Sequence, residues 1–234
     1  MRTKVLLIAA ALAASLASSM AQNVYSLNVV GYVNVTLPPS QFYLVANPLD
    51  ASMGGTVANG NAMTNLINAT TTPALAASSS IATFNSALNN YNSPSLTYSV
   101  KTKAWSGNFD MPPGKAALFY NNGAVPAVVT FTGQVPQGSY NVATLGANQF
   151  SFVGSPVPIG GNITNSTTAL GLVPSASDSV ATFNSAANNW NSVVTWSVKS
   201  KAWSGTMPID AGQGFLYYNN AAVANNWVSN FTVQ

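Results

Sequence analysis

ATFNSALNNYNS at residues 82–93 and ATFNSAANNWNS at residues 181–192 agree in ten of twelve letters at a separation of 99 positions. Each reads as a strand (ATFN), a turn (SALNN or SAANN) and the start of a return strand (YNS or WNS). Asn and Ser suit the turn because Asn tolerates the left-handed backbone region and both side chains bond neighbouring backbone groups.

The repetition continues outward from this segment. SVKTKAWSG (99–107) returns as SVKSKAWSG (197–205), ALFYNNGAV (117–125) as FLYYNNAAV (215–223), and VTFT (129–132) more loosely as SNFTV (229–233). Upstream, VNVTLPPSQFYLVANP (33–48) matches NVATLGANQFSFVGSP (141–156) at an offset of 108. The intervening segment is thus about nine residues shorter in the second copy, as a surface loop allows. A period near 100 residues is domain-sized, longer than a solenoid repeat. The expected architecture is all-β: two tandem β-sandwich or barrel-like domains, 22–133 and 134–234, meeting in GQVPQG at 133–138, with short helical turns in one long loop of each.

Finer expectations follow from period and turn chemistry. LTYSVKTKAW alternates Tyr98, Val100 and Ala104 against Ser99, Lys101 and Lys103, which reads as one half-buried strand. WSVKSKAW, with Trp196, Val198 and Ala202 against Ser197, Lys199 and Lys201, reads the same way. The NNG at 121–123 predicts a hairpin turn, looser in its counterpart at 219–221, where Ala replaces Gly. Met63, Leu66 and Ile67 have helical spacing, predicting a short helix near 62–69, with a similar turn near 164–171.

The amino terminus has the layout of a secretory signal peptide: Arg2 and Lys4, an apolar run at 5–17, then small residues around Met20, with cleavage expected after Ala21. The run is short for a membrane span, which needs about 20 apolar residues, and no later segment is long enough to cross as a helix. The mature chain is therefore expected to be secreted, extracellular or at the cell surface. An outer-membrane barrel would need alternating strands of about ten residues throughout, which the Ala/Ser/Thr-rich loops do not supply.

Composition excludes much chemistry. After cleavage five lysines face four aspartates, a net charge of +1, and no arginine remains. That is no nucleic-acid footprint, which needs clustered basic residues. There is no Cys, His or Glu, so no Ser–His triad, thiolate nucleophile or histidine zinc site can be built. Asp110 and Asp210 fall at equivalent places in the two copies, hence on different domains, and are read as turn residues rather than a glycosidase pair. No loop holds two carboxylates for calcium, and no phosphate-binding glycine loop is present. The expectation is a non-catalytic protein without metal or cofactor.

Recognition then rests on aromatics in a surface of neutral amides, with 28 Asn in the chain. Tyr91/Trp190, Tyr98/Trp196 and Trp105/Trp203 stand at matched positions. Tyr98 and Trp196 read as core. Trp105 and Trp203 fall on the lysine face of the predicted strands and, with Tyr91 and Trp190, are the candidate ligand-binding residues. The lysine pairs read as a solvated face or a guard against strand addition.

QNVYSLNVVGYVNVTLP, FYLVANPL, KAWSG and PPGKAALFYNN resemble a family of uncharacterised secreted bacterial proteins with tandem repeats of about 100 residues. The resemblance covers nearly the whole mature chain. It implies an exported, duplicated all-β protein and carries over no catalytic residue. The sequence departs from the family pattern at Lys115 and Ala116, where an acidic residue and Gly are common. Two functions are expected from this reading: a self-associating extracellular structural or matrix protein, or a module binding extracellular polysaccharide.

Overall fold

The computed structural model describes residues 29–68, 71–165, 170, 172–175 and 177–233. The expected signal segment and its cleavage point lie outside the described residues, as do parts of the turn expected near 164–171.

The first half runs β1 (Val30–Leu37), β2 (Gln41–Ala46), a helical turn (Thr64–Asn68), β3 (Thr71–Thr72), β4 (Ser80–Ala82), β5 (Phe84–Asn85), β6 (Asn90–Tyr91), β7 (Leu96–Ser99), β8 (Ala104–Trp105), β9 (Ala116–Asn121) and β10 (Ala127–Gln134). The second half runs β11 (Gly138–Leu145), β12 (Gln149–Gly154), β13 (Gly161–Asn162), β14 (Ser179–Ala181), β15 (Phe183–Asn184), β16 (Asn189–Trp190), β17 (Val194–Ser197), β18 (Ala202–Trp203), β19 (Pro208–Ile209), β20 (Gly214–Asn219) and β21 (Asn225–Phe231). The chain is all-β, in several sheets. A five-stranded antiparallel sheet ordered β2-β9-β4-β7-β8 has the same layout as one ordered β12-β20-β14-β17-β18. A three-stranded sheet, β1-β10-β3, accompanies the first, and a two-stranded ribbon, β11 with β21, accompanies the second.

Alternation explains the layers. Along β1 the inward residues Val33, Val35 and Leu37 are buried, and along β10 Ala127, Val129 and Phe131. They meet Val45, Ala117 and Phe119 on one face of the five-stranded sheet. The other face of that sheet is buried too: Leu44, Ala46, Ala116 and Leu118 form a second cluster with Phe152 of the other half. A strand covered on both sides reads as a continuous apolar run, as AALF does in β9. The larger apolar cluster is continuous through both halves, so they pack as one body.

Two local expectations change. LTYSVKTKAW is a hairpin, not a strand: Tyr98 pairs with Trp105 and Ser99 with Ala104 around a turn at 100–103. Trp196 pairs with Trp203 in the same way. Lys103 and Lys201 hold φ of 52° and 51°, so lysine occupies a left-handed position where Gly or Asn is usual. The NNG at 121–123 makes no hairpin, because β9 pairs with β2 and β4 while β10 pairs with β1 and β3. It is a corner between sheets. The buried Asn121 Nδ2 donates to the Leu37 and Val125 carbonyls, and its Oδ1 accepts from Gly123 N–H. Asn219 does the same with Leu145, Val223 and Ala221. Around 62–69, the helical turn Thr64–Asn68 places Met63, Leu66 and Ile67 in the core.

Candidate functional site

The repeated ATFN segments form two hairpin arms. Phe84 pairs with Tyr91 across β5 and β6, and Phe183 with Trp190 across β15 and β16. In the first arm Asn85 caps a short 3-10 turn by accepting from Leu88 N–H, and Asn89 ends it at φ 46°. Asn184 accepts from Ala187 N–H, and Asn188 lies at φ 49°.

Each arm reaches over the other half. Phe84 meets Phe150 at 6.4 Å, and its counterpart Phe183 meets Phe42 at 6.5 Å, both edge-on. Phe84 also lies 4.9 Å from Phe152. The backbone is joined reciprocally as well. Ala46 N–H donates to Gly212 O at 2.8 Å, and the equivalent Gly154 N–H to Gly114 O at 2.9 Å. Both glycines have positive φ, 79° and 86°. A Cβ on Gly212 would lie 2.4 Å from Val35 Cγ2, and one on Gly114 would lie 2.3 Å from Val142 Cγ1, each in the opposite half. Small residues let the two sheets approach: a Cβ on Gly154 would lie 2.3 Å from Ala46 Cβ, and one on Gly214 would lie 2.8 Å from Ala116 Cβ.

Where the arms converge, a cleft of ≈ 360 Å³ opens between the halves. Its apolar lining includes Phe42, Leu118, Phe183 and Trp190, and its rim carries Ser95, Asn188 and Asn189. A second cavity of ≈ 290 Å³ continues it, sharing Tyr91 and Trp190 and reaching Phe150, Phe152 and Asn89. No charged side chain lines either one. Burial raises the Tyr91 pKa, and the Trp190 indole across the junction partly offsets the rise. Such a groove can stack flat apolar faces on aromatic rings while its amides bond neutral polar groups.

Of the four candidate residues, the structure brings Tyr91 and Trp190 together in this groove. Trp105 and Trp203 lie elsewhere. Cross-strand partners share a face, so Trp105 faces with Tyr98 and Trp203 with Trp196, away from the lysine face on which the one-strand reading put them. Trp105 is only 8% exposed, 5.5 Å from Tyr98 and 6.0 Å from Phe119, and offers no platform. Trp203 is half-buried at 5.8 Å from Trp196. Phe42, Phe152 and Asn188 were not singled out from sequence. The recurrence of QF at 41–42 and 149–150 was the signal for Phe42, and the repeated NN at 89–90 and 188–189 the signal for Asn188; nothing repeated marks Phe152, which stands where the first half has Leu44.

On another side of the junction a cavity of ≈ 230 Å³ includes Thr83, Ser86, Lys115 and Ser151 in its lining. Burial lowers the Lys115 pKa against the opposing pull of Asp110, and its Nζ lies 5.6 Å from the centre of the Phe109 ring. Among the described residues no cluster of three His, Cys, Asp or Glu is placed to hold a metal, and no helix is long and apolar enough to cross a membrane. In comparison with known proteins, no protein-family model, curated protein or solved structure matches this chain.

Proposed function

We propose that the chain is an exported, non-catalytic extracellular protein built from a tandem duplication, domains 22–133 and 134–234, and that its junction groove binds a neutral saccharide. The observation that carries this reading is the convergence of Tyr91 and Trp190, at matched positions 99 residues apart, in an aromatic groove rimmed by amides and free of charged side chains. Sugar rings present apolar C–H faces and neutral hydroxyls, which suit that lining. The apparent signal peptide and the resemblance to secreted tandem-repeat proteins support export. The absence of His, Cys and Glu from the sequence supports a non-catalytic role. The test is retention of the mature chain, residues 22–234, on insoluble neutral polysaccharides, compared with Trp190→Ala. Retention lost in the variant is expected. Equal retention of both proteins, or none of either, would sink the reading.

Self-association into an extracellular layer is the second reading. It is favoured by apolar residues exposed at matched positions, Val125 and Val223 at 56% and 69%. The mass of the mature chain across a concentration series decides it: growth into oligomers supports a layer, and a monomer throughout excludes one.

A further inference from the structure

The two sides of the junction are not equal. On one side Asn89 Oδ1 accepts from Phe150 N–H at 3.0 Å and Asn89 Nδ2 donates to the Asn148 carbonyl at 3.4 Å. The Ser86 and Ser151 hydroxyls lie 3.3 Å apart beside them. By sequence the equivalent groups on the other side are Asn188, Phe42 N–H and the Ser40 carbonyl. Asn188 holds nearly the same backbone conformation as Asn89, φ 49° against 46°. Yet among the described residues its amide makes neither bond, and a cavity of ≈ 340 Å³ lies between it and the edge of β2.

That edge presents its polar groups to the cavity. Asn47 N–H donates to Lys115 O, in step with the odd-numbered pairs of the β2–β9 ladder. The even-numbered N–H groups of β2 therefore point away from β9, as Ala46 N–H does in reaching Gly212. Phe42 N–H points the same way. The cavity shares Phe42 and Asn188 with the aromatic cleft, so the two adjoin, and no charged side chain lines it.

We propose that this gap is the polar subsite of the groove, where a sugar unit takes the place that Asn89 fills on the closed side. The proposal rests on the saccharide reading above. One hydroxyl oxygen accepts from Phe42 N–H, the neighbouring hydroxyl donates to the Ser40 carbonyl, and Asn188 bonds the pair from the arm. A vicinal diol suits this exchange because it offers an acceptor and a donor side by side, as an amide does. A sugar bound here lies end-on to a ring stacked in the aromatic cleft, so the ligand class is a neutral oligosaccharide rather than a single sugar.

The test is calorimetric titration of the mature chain with cellohexaose, xylohexaose, mannohexaose and laminarihexaose. Asn188→Gly keeps the left-handed turn and removes the amide, while Asn188→Asp keeps the shape and removes the donors. Binding of at least one hexasaccharide is expected, weakened about tenfold in both variants, the equivalent of one hydrogen bond, with the far-ultraviolet circular dichroism unchanged. Binding that is lost in Trp190→Ala but unchanged in both Asn188 variants would overturn the subsite and leave the saccharide reading standing. No binding of any hexasaccharide by the unaltered chain would overturn both.

Discussion

Asp178 and Tyr217 stand in the second half where the first half has Ser79 and Phe119. Asp178 is fully buried, and it accepts from Ser175 N–H at 2.7 Å, Asn220 N–H at 2.8 Å and the Tyr217 hydroxyl. In the first half Asn122 N–H donates to the Ser79 hydroxyl at 3.2 Å, and no phenol is present. The two differences belong together, since a buried carboxylate needs the additional donor. Tyr217→Phe alone is expected to cost roughly 1–3 kcal/mol by leaving the carboxylate short of a donor. Asp178→Ser combined with Tyr217→Phe recreates the pair of the first half and is expected to cost less than the sum of the single changes, as a urea-unfolding double-mutant cycle would show. The buried phenols also set an alkaline limit. Burial, followed by the charge of Asp210, pushes the Tyr43 pKa up to about 12, while burial and then the bond and charge of Asp178 raise that of Tyr217. Above pH 10 the unfolded chain loses these protons while the folded chain keeps them. Stability therefore falls as pH rises from 10 towards 12, by on the order of 2 kcal/mol for Tyr43. Lys115, with its lowered pKa, acts in the opposite direction but is one group against four, since burial raises Tyr91 and Tyr140 as well. Melting temperatures between pH 8 and 11.5 should fall, and less steeply in Tyr43→Phe.

Among the elements, the arms were the most legible. Asn and Ser at 85–90 announced a turn, and the turn is there, with Phe84 opposite Tyr91. The hairpin at 96–105 was not legible, because its turn contains no Gly, Pro or Asn and the alternation of side chains runs through it unbroken. The signal present was Ser99, whose hydroxyl accepts from Thr102 N–H at 3.3 Å, as Ser197 does from Ser200 N–H at 3.1 Å. The corner at 121–123 misled for the opposite reason: its turn-like letters serve a buried amide that ties two sheets. The unequal docking of the arms has a measurable consequence. Asn89→Gly removes two hydrogen bonds to the β12 side and is expected to cost about 1 kcal/mol. Asn188→Gly removes none among the described residues and should stay within about 0.5 kcal/mol. Denaturant midpoints of the two variants, taken without ligand, check the difference.

For the molecule as a whole, each ladder is closed within one half, but the core is not. Leu44, Leu118 and Phe152 belong to one cluster, and the backbone bonds at Gly114 and Gly212 are reciprocal. The sheet face that carries Leu44, Ala46, Ala116 and Leu118 would lose the cover of Phe152 and Leu216 without its neighbour. The two halves are therefore expected to unfold together, in one calorimetric transition whose van't Hoff and calorimetric enthalpies agree. Two resolved transitions would contradict that. The association could not be read beforehand, because Ala46, Ala116, Gly154 and Gly214 look like ordinary strand residues and no local period records what lies across from them.

An arm shaped for the opposite half of its own chain also fits the same half of any other copy. What favours the partner within the chain is the shortness of the link: β10 ends at Gln134 and β11 begins at Gly138. A tether of three residues holds the second half at a high effective concentration, which separate chains do not match in dilute solution. The GQVPQG connection is thus more than a spacer. Its length makes closure within one molecule win over exchange between molecules, and a long flexible insertion there would shift that balance towards exchanged pairs.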